Sequence, residues 1–428
     1  MASCRRLCFH QGVAGQAAFD ERVALEQIRA ARARGAGIVK VTPLDQSATF
    51  STMCQREIFL KLENLQKTGS FKVRGALNKI QSLDDAAKRR GVVTASAGNH
   101  AQGVAYAAQR EGVPVTVVMP ETASFSKVAA TSGYGARVVL AGRDYNESHA
   151  HAVQLAQEQH ATFVHAFDDR DVIAGQATLG LEVLDQLPDV DTVVVPVGGG
   201  GLLAGIASAL RGAGSHVRLI GVQAAGASSL LPSIRSGHRV ELTAVDTIAD
   251  GLATRMIGAL PFEIIRATID DAVEVDDAAI ADAVLLLLER AKTVVEGAGA
   301  VGLAACLSGR LPATASKVAV IITGGNIDTN LLDRIINLGL VEEGRLFRFT
   351  TRLADRPGEL QRLVTCVAAC RANIHQISHQ RAQPGLALTQ ASVTLELETR
   401  GRDHINEIER ALTTAGFELI GDHNASAG

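Results

Sequence analysis

The stretch Thr192-Val193-Val194-Val195-Pro196-Val197-Gly198-Gly199-Gly200-Gly201-Leu202-Leu203-Ala204 decides the fold. Its first six residues are an apolar, β-branched run with no polar alternation past Thr192, the pattern of a strand buried on both faces and hence of a parallel sheet. Four glycines interrupt it, and an apolar helical stretch follows at 202–210. Strand, loop and helix in this order repeat on either side. Strand-like runs at 57–62, 92–95, 113–119, 137–140, 218–222 and 318–323 alternate with Ala/Leu-rich helical segments, so the expected class is α/β, with parallel sheets covered by helices in three αβα layers.

Beyond Leu340 the rhythm changes at the charged segment Val341-Glu342-Glu343-Gly344-Arg345. A strand at 347–353, a helix at 359–371, strands at 374–381 and 388–398, a helix at 404–415 and a strand at 417–420 give the order βαββαβ of a ferredoxin-like module. The expected organisation is an N-terminal arm (1–20), a region 21–340, a linker (341–345) and a C-terminal domain (346–421). Within 21–340 we expect a large domain from 21–55 and 150–340 and a small one of about 56–149.

Composition narrows the function. With 428 residues, 47% hydrophobic and 20% charged, the chain can build more than one buried core. Forty-two basic against 45 acidic residues leave a net charge of -3, which offers no electrostatic footprint for nucleic acid or an anionic membrane. The longest uncharged stretch, 192–210, is broken by Pro196 and the glycines, so no membrane span is expected. The six cysteines (4, 8, 54, 306, 366, 370) form no CxxC pair and no zinc spacing, and Cys366 and Cys370 read as small buried groups on one helix face. No apolar run follows Arg5-Arg6, so no secretory signal is read and a reducing, cytoplasmic setting is expected, with a small-molecule partner.

A loop of four glycines ahead of a helix presents backbone N–H groups to an anion, where a tight turn would need only one or two glycines. The run 199–204 also satisfies a relaxed dinucleotide pattern. A dinucleotide site, however, wants a carboxylate near the end of the next strand for the ribose, and that strand ends in Gln223. The reading favours a cofactor with one phosphate and no ribose.

The segment Lys61-Leu62-Glu63-Asn64-Leu65-Gln66-Lys67-Thr68-Gly69-Ser70-Phe71-Lys72-Val73-Arg74-Gly75-Ala76 passes from a strand through a loop into a helix. Ser70 reads as its N-cap, placing Lys72 in the first turn, where the helix dipole disfavours a cation and frees the neutral amine. Lys61, Lys67 and Lys79 read as solvated surface lysines.

These residues resemble the lysine segment of the pyridoxal-phosphate enzymes of the tryptophan-synthase β fold, in particular the threonine/serine dehydratases. Thr42-Pro43-Leu44, Ser96-Ala97-Gly98-Asn99-His100-Ala101-Gln102-Gly103, Gly198 to Leu202, Glu296-Gly297-Ala298-Gly299-Ala300 and Thr323-Gly324-Gly325-Asn326 support it, over roughly 20–340. The tail, with Asp355-Arg356-Pro357-Gly358-Glu359-Leu360, resembles an amino-acid-sensing ACT domain.

The resemblance implies that Lys72 holds pyridoxal 5'-phosphate covalently and takes the substrate's Cα proton. It implies that Gly198, Gly199, Gly200, Gly201 and the amide of Leu202 hold the phosphate, that Phe71 packs on the ring, that Asn99 meets the phenolic oxygen and that Thr323 faces the pyridine nitrogen. Ser96, Ala97, Gly98, Asn99 and His100 would receive the substrate carboxylate, with His100 a packing or capping residue rather than a base. Glu296 is expected near the site, as a charge that stabilises a loop without a chemical role. Arg356, Pro357 and Gly358 would bind an amino-acid effector, isoleucine or valine, in a homodimer or homotetramer. The implied reaction is dehydration and deamination of L-threonine to 2-oxobutanoate and ammonia, with L-serine giving pyruvate. A serine dehydratase or serine racemase of the same fold is the alternative. Racemisation is disfavoured because Ala97 stands where racemases carry a second serine. No metal site is expected, because the racemase cation positions fall at Gln223 and Ser229. A nicotinamide-dependent oxidoreductase and a catalytically silent amino-acid sensor are the readings from other classes.

Overall fold

A computed structural model describes residues 22–382 and 384–420. The expected arm at 1–20, Cys4, Cys8 and the last residue of the expected C-terminal domain, Gly421, lie outside the described residues. The chain divides into two compact units, up to Ile327 and from Asp328 onward.

Among the described residues the first unit holds ten strands: β1 (Leu44–Gln46), β2 (Glu57–Leu62), β3 (Val92–Ala95), β4 (Val115–Met119), β5 (Arg137–Leu140), β6 (Thr162–Phe163), β7 (Thr192–Pro196), β8 (Arg218–Ala224), β9 (Asp271–Val275) and β10 (Lys317–Ile322). They form a six-stranded sheet, β1-β2-β10-β7-β8-β9, and a four-stranded one, β5-β4-β3-β6. All pairs are parallel except β1 on β2. Every residue of β7 is buried, as its unbroken apolar run required. The α/β architecture with parallel sheets is as expected. The division within it is not at 56–149, because β2 pairs along its whole length with β10 of the larger sheet and β6 extends the smaller sheet to Phe163.

Helices pack closely where glycine removes a side chain. Helices Gly201–Gly212 and Arg170–Gln186 meet at Gly180, where a Cβ would stand 2.9 Å from the Ala209 methyl, and at Gly205, where it would stand 2.8 Å from the Ile173 carbonyl. The glycine surplus is thus partly a requirement of helix packing.

The second unit begins with helix Thr329–Glu342 and continues β11 (Leu346–Ala354), helix Glu359–Ala369, β12 (Asn373–Gln380), β13 (Gln390–Glu398), helix Arg402–Thr414 and β14 (Leu419–Ile420). Its sheet, β12-β13-β11-β14, is antiparallel throughout, which with the βαββαβ order is the ferredoxin-like topology. Burial alternates along β13, so Val393, Leu395 and Leu397 face a core shared with Phe347, Leu363, Val367 and Leu412. Cys370 belongs to this core and Cys366 packs against it, as expected of small apolar groups. Arg356, Pro357 and Gly358 form the exposed turn between β11 and its helix. Gly358 adopts φ 93° as the N-cap, and Arg356 pairs with Glu359 at 2.8 Å. Among the described residues no helix is long and apolar enough to cross a membrane.

Candidate active site

The helix Lys72–Ser82 is preceded by Phe71 as N-cap, with no side-chain cap. The expected cap, Ser70, is drawn away: its backbone bridges Gly324, and its buried hydroxyl has no hydrogen-bond partner among the described residues. Phe71 N–H donates to the Thr323 carbonyl at 3.1 Å and Gly325 N–H to Gly69 at 2.9 Å, so the segment after β10 runs alongside the lysine loop. Thr323 therefore lies beside Phe71, the residue before Lys72, because two segments far apart in sequence are zipped together by backbone bonds.

Lys72 Nζ donates to the Ala166 carbonyl at 3.0 Å and lies 5.1 Å from the centroid of the Phe71 ring. Burial depresses its pKa to about 8, partly opposed by the negative charge of Glu296. The direction matches the expectation from sequence, but dehydration is the main cause. The helix Asn99–Glu111 presses on the lysine from another side, since a Cβ at Gly103 would stand 3.4 Å from the Lys72 Cβ.

The residue after Ala166 joins the amine to the glycine loop. A Cβ on Gly199 would enter the Phe167 ring, and one on Gly201 would stand 2.8 Å from the Phe167 carbonyl. Gly200 has φ 90° and faces Pro261 and Ile265, while Gly198 is closed off by Gly251 and Leu252. Gly199, Gly200 and Gly201 therefore demand glycine, and Gly198 is tightly enclosed, with a Cβ 3.1 Å from its nearest neighbours. The N–H groups of Gly198, Gly199, Gly200, Gly201 and Leu202 have no backbone or side-chain acceptor among the described residues, and they open the helix Gly201–Gly212. Unsatisfied, largely buried donors at a helix N-terminus could hold an anion such as a phosphate.

Asn99 is held on both sides. Its Nδ2 donates to Glu296 Oε1 at 2.6 Å, and its Oδ1 accepts from Asn326 Nδ2, which also donates to the Thr68 carbonyl at 2.9 Å. Burial raises the Glu296 pKa to about 7, opposed by the hydrogen bond from Asn99. Glu296 thus lies near the site, as the sequence reading allows, and is bonded to Asn99. In the loop after β3, Ser96 N–H is taken by Val118 at 3.1 Å and Gly98 N–H by the Ser96 hydroxyl at 3.1 Å. Of the five expected carboxylate ligands, the amides of Ala97, Asn99 and His100 are left without an acceptor among the described residues.

Neither histidine near the lysine is a base at neutral pH. Burial, aided by the charge of Lys72, pushes the His100 pKa down to about 3, and its Nε2 donates to Val164 at 3.1 Å. His165 falls to about 4, again through burial, and its Nδ1 accepts from Asp168 N–H at 2.9 Å and Phe167 N–H at 3.2 Å. The segment 165–168 was missed in the sequence because it acts through backbone groups and ring packing.

Two lysines read as solvated are not. Lys61 is 0% exposed, with Nζ bonded to Thr42 O, Glu182 and Gln186, and Lys79 pairs with Asp169 at 2.7 Å and Asp171 at 3.2 Å. Lys67 is exposed, as expected. Gln223 donates to Val197 O at 3.3 Å and accepts from Leu230 N–H at 2.7 Å, so its amide ties the end of β8 to the following helix.

Against known proteins, residues 36–324 match the family described as pyridoxal-phosphate dependent enzyme. The L-threonine ammonia-lyase of Thermotoga maritima is 47% identical over 397 residues, which cover 93% of this chain and 99% of that protein. The solved structure of the processed form of threonine deaminase isoform 2 from Solanum lycopersicum is 33% identical, with a TM-score of 0.71 over 78% of this chain and 92% of that one. Maize serine racemase is 36% identical, with a TM-score of 0.70 over 75% of this chain and 99% of that one.

Proposed function

This chain belongs to the pyridoxal-phosphate-dependent enzymes, and on that premise we propose that it is an L-threonine ammonia-lyase, forming 2-oxobutanoate and ammonia. One observation carries the reading: the partly buried amine of Lys72 and the glycine loop with its acceptor-free amides meet the same dipeptide, Ala166-Phe167, the amine at Ala166 and the loop at Phe167 through Gly199 and Gly201. The residues present fit pyridoxal 5'-phosphate, with Lys72 to hold it covalently and the glycine loop to hold its phosphate.

When bound, the cofactor supplies an electron sink for the charge left on Cα. The substrate amine would displace Lys72 from the cofactor, and the freed lysine would take the Cα proton, a task suited to an amine that burial has brought to about 8. Asn99 uses one amide hydrogen on Glu296 and keeps the other for the cofactor's phenolic oxygen. Thr323 would meet the ring nitrogen with a hydroxyl in place of a carboxylate, which favours elimination over transamination. The amides of Ala97, Asn99 and His100 would bind the substrate carboxylate, with Ser96 and Gly98 shaping that loop. Departure of the β-hydroxyl as water leaves an enamine that tautomerises to an imine and hydrolyses. L-serine would give pyruvate by the same route. Ala97 has no hydroxyl to return a proton from the opposite face, which sets racemisation below elimination.

The C-terminal unit is proposed to be an ACT domain that binds isoleucine or valine at the turn Arg356-Pro357-Gly358, in a cytoplasmic homodimer or homotetramer. Release of 2-oxo acid from L-threonine and L-serine by wild type and Lys72→Ala tests the catalytic reading. Wild type is expected to turn over threonine and the variant to lose at least a thousandfold, roughly the scale of losing an essential nucleophile or base. Equal rates would sink it.

A further inference from the structure

Arg74 follows Lys72 by two residues and is 3% exposed, yet the chemistry above leaves it without a role. Its guanidinium grips two carboxylates. Nε and Nη2 donate to Glu63 at 2.7 and 2.8 Å, Nη1 and Nη2 donate to Glu182 at 2.6 and 2.9 Å, and Nη1 also reaches the Thr178 hydroxyl at 3.1 Å. Lys61 completes the cluster, with Nζ 2.7 Å from Glu182, 2.8 Å from Thr42 O and 2.8 Å from Gln186. Two cations face two carboxylates, so the cluster is neutral.

A buried ion cluster is weak evidence for stability, because removing each ion from water costs several kcal/mol that packed apolar residues would not incur. Geometry is what it supplies. A planar fork with a carboxylate on each edge permits one direction for the side chain. It ties the first turn of the Lys72 helix to the end of β2, through Glu63, and to helix Arg170–Gln186, through Glu182. The residues just before that second helix carry Ala166, which accepts from Lys72, and Phe167, which walls the glycine loop. The two helices touch through bare backbone beside Arg74, where a Cβ on Gly175 would stand 2.6 Å from Gly75 Cα. At that crossing Gln176 Oε1 accepts from Gly75 N–H at 3.2 Å, and farther along the helix Asn78 Nδ2 donates to the Asp171 carbonyl at 2.7 Å and Lys79 pairs with Asp169 at 2.7 Å; Arg74 adds the tie in the first turn, nearest Lys72, and extends it to Glu63 after β2.

We infer that Arg74 is a positioning residue for Lys72: through Glu63 and Glu182 it sets the register of the lysine helix against the segment that receives the amine. The inference rests on Lys72 as the cofactor-bearing lysine. Its test uses the holoenzyme, with Arg74→Lys, which keeps the charge and loses the fork, and Lys61→Gln, which disturbs the same cluster off the Lys72 helix. Thermal midpoint, kcat and KM for L-threonine, and the pH titration of the bound cofactor's visible band are measured for each. Both variants should melt lower. Arg74→Lys alone should move the titration midpoint and lower kcat by roughly tenfold to a hundredfold, the scale of a misplaced reacting group, with KM little changed. Unmoved titration and kcat in Arg74→Lys, or an equal movement in Lys61→Gln, overturns the inference. Should Arg74→Lys fail to fold, Thr178→Val withdraws one acceptor from Nη1; a smaller shift of the band in the same direction is expected, and no shift overturns the inference. Borohydride reduction of the wild type separates the two levels: an unlabelled Lys72 overturns the site reading and the inference with it, whereas a labelled Lys72 beside an unmoved Arg74→Lys overturns the inference alone.

Discussion

Lys72 and Glu296 are both partly buried, and desolvation moves them in opposite directions, the amine down to about 8 and the carboxyl up to about 7. The stability of the cofactor-free protein follows from the signs. From its ordinary 4.5 up to about 7 the native state keeps the Glu296 proton that the unfolded chain releases, so this group lowers stability as pH rises through that window. Lys72 acts the other way between about 8 and its ordinary 10.5, where the unfolded chain keeps the proton and stability rises with pH. Glu296→Gln retains an oxygen for Asn99 and cannot ionise. Its melting temperature relative to wild type should therefore be more favourable at pH 8 than at pH 5, and an equal difference at both pH values would refute the assignment.

At the scale of elements, the glycine loop is the part most legible in the sequence. Four glycines after a buried strand suggested a backbone cradle, and Gly199, Gly200 and Gly201 prove closed to a side chain. Gly200→Ala would force a non-glycine residue to φ 90° against Ile265 and Pro261, and should weaken pyridoxal phosphate binding by about tenfold or more, the order of a lost charge-assisted hydrogen bond. Fluorescence titration with pyridoxal, which lacks the phosphate, should show a much smaller change; equal losses for both ligands would mean that the loop does not hold the phosphate. Strands β2, β3 and β5 were read to the residue because their apolar runs are uninterrupted or sharply bounded. The short β1 and β6 carry too few residues for a pattern, and β9 hides behind Asp271 and Glu274, acids where a buried strand should be apolar. The ion cluster was invisible for a different reason. Its partners Lys61 and Glu182 are 121 residues apart, and no local pattern says which charges will be buried together. The one available signal was Glu182 itself, a carboxylate inside the otherwise uncharged run from Ala174 to Val183.

For the whole molecule, the two units divide the proposed labour, with catalysis before Asp328 and sensing after it. The break falls ahead of helix Thr329–Glu342, earlier than the charged linker suggested, because that helix clusters with the C-terminal unit. If the second unit senses amino acids, isoleucine or valine should shift the melting temperature or the threonine KM of the full chain, and Arg356→Ala should blunt the response. An unresponsive wild type, across all amino acids tried, would leave the unit without a sensing role. The catalytic unit carries the central claim, that Lys72 alone among the lysines bears the cofactor. Borohydride reduction of the holoenzyme followed by peptide mass spectrometry tests it most directly: a single pyridoxyl group on Lys72 is the predicted result, and a label on Lys61, Lys127 or any other lysine, or no label at all, would contradict it.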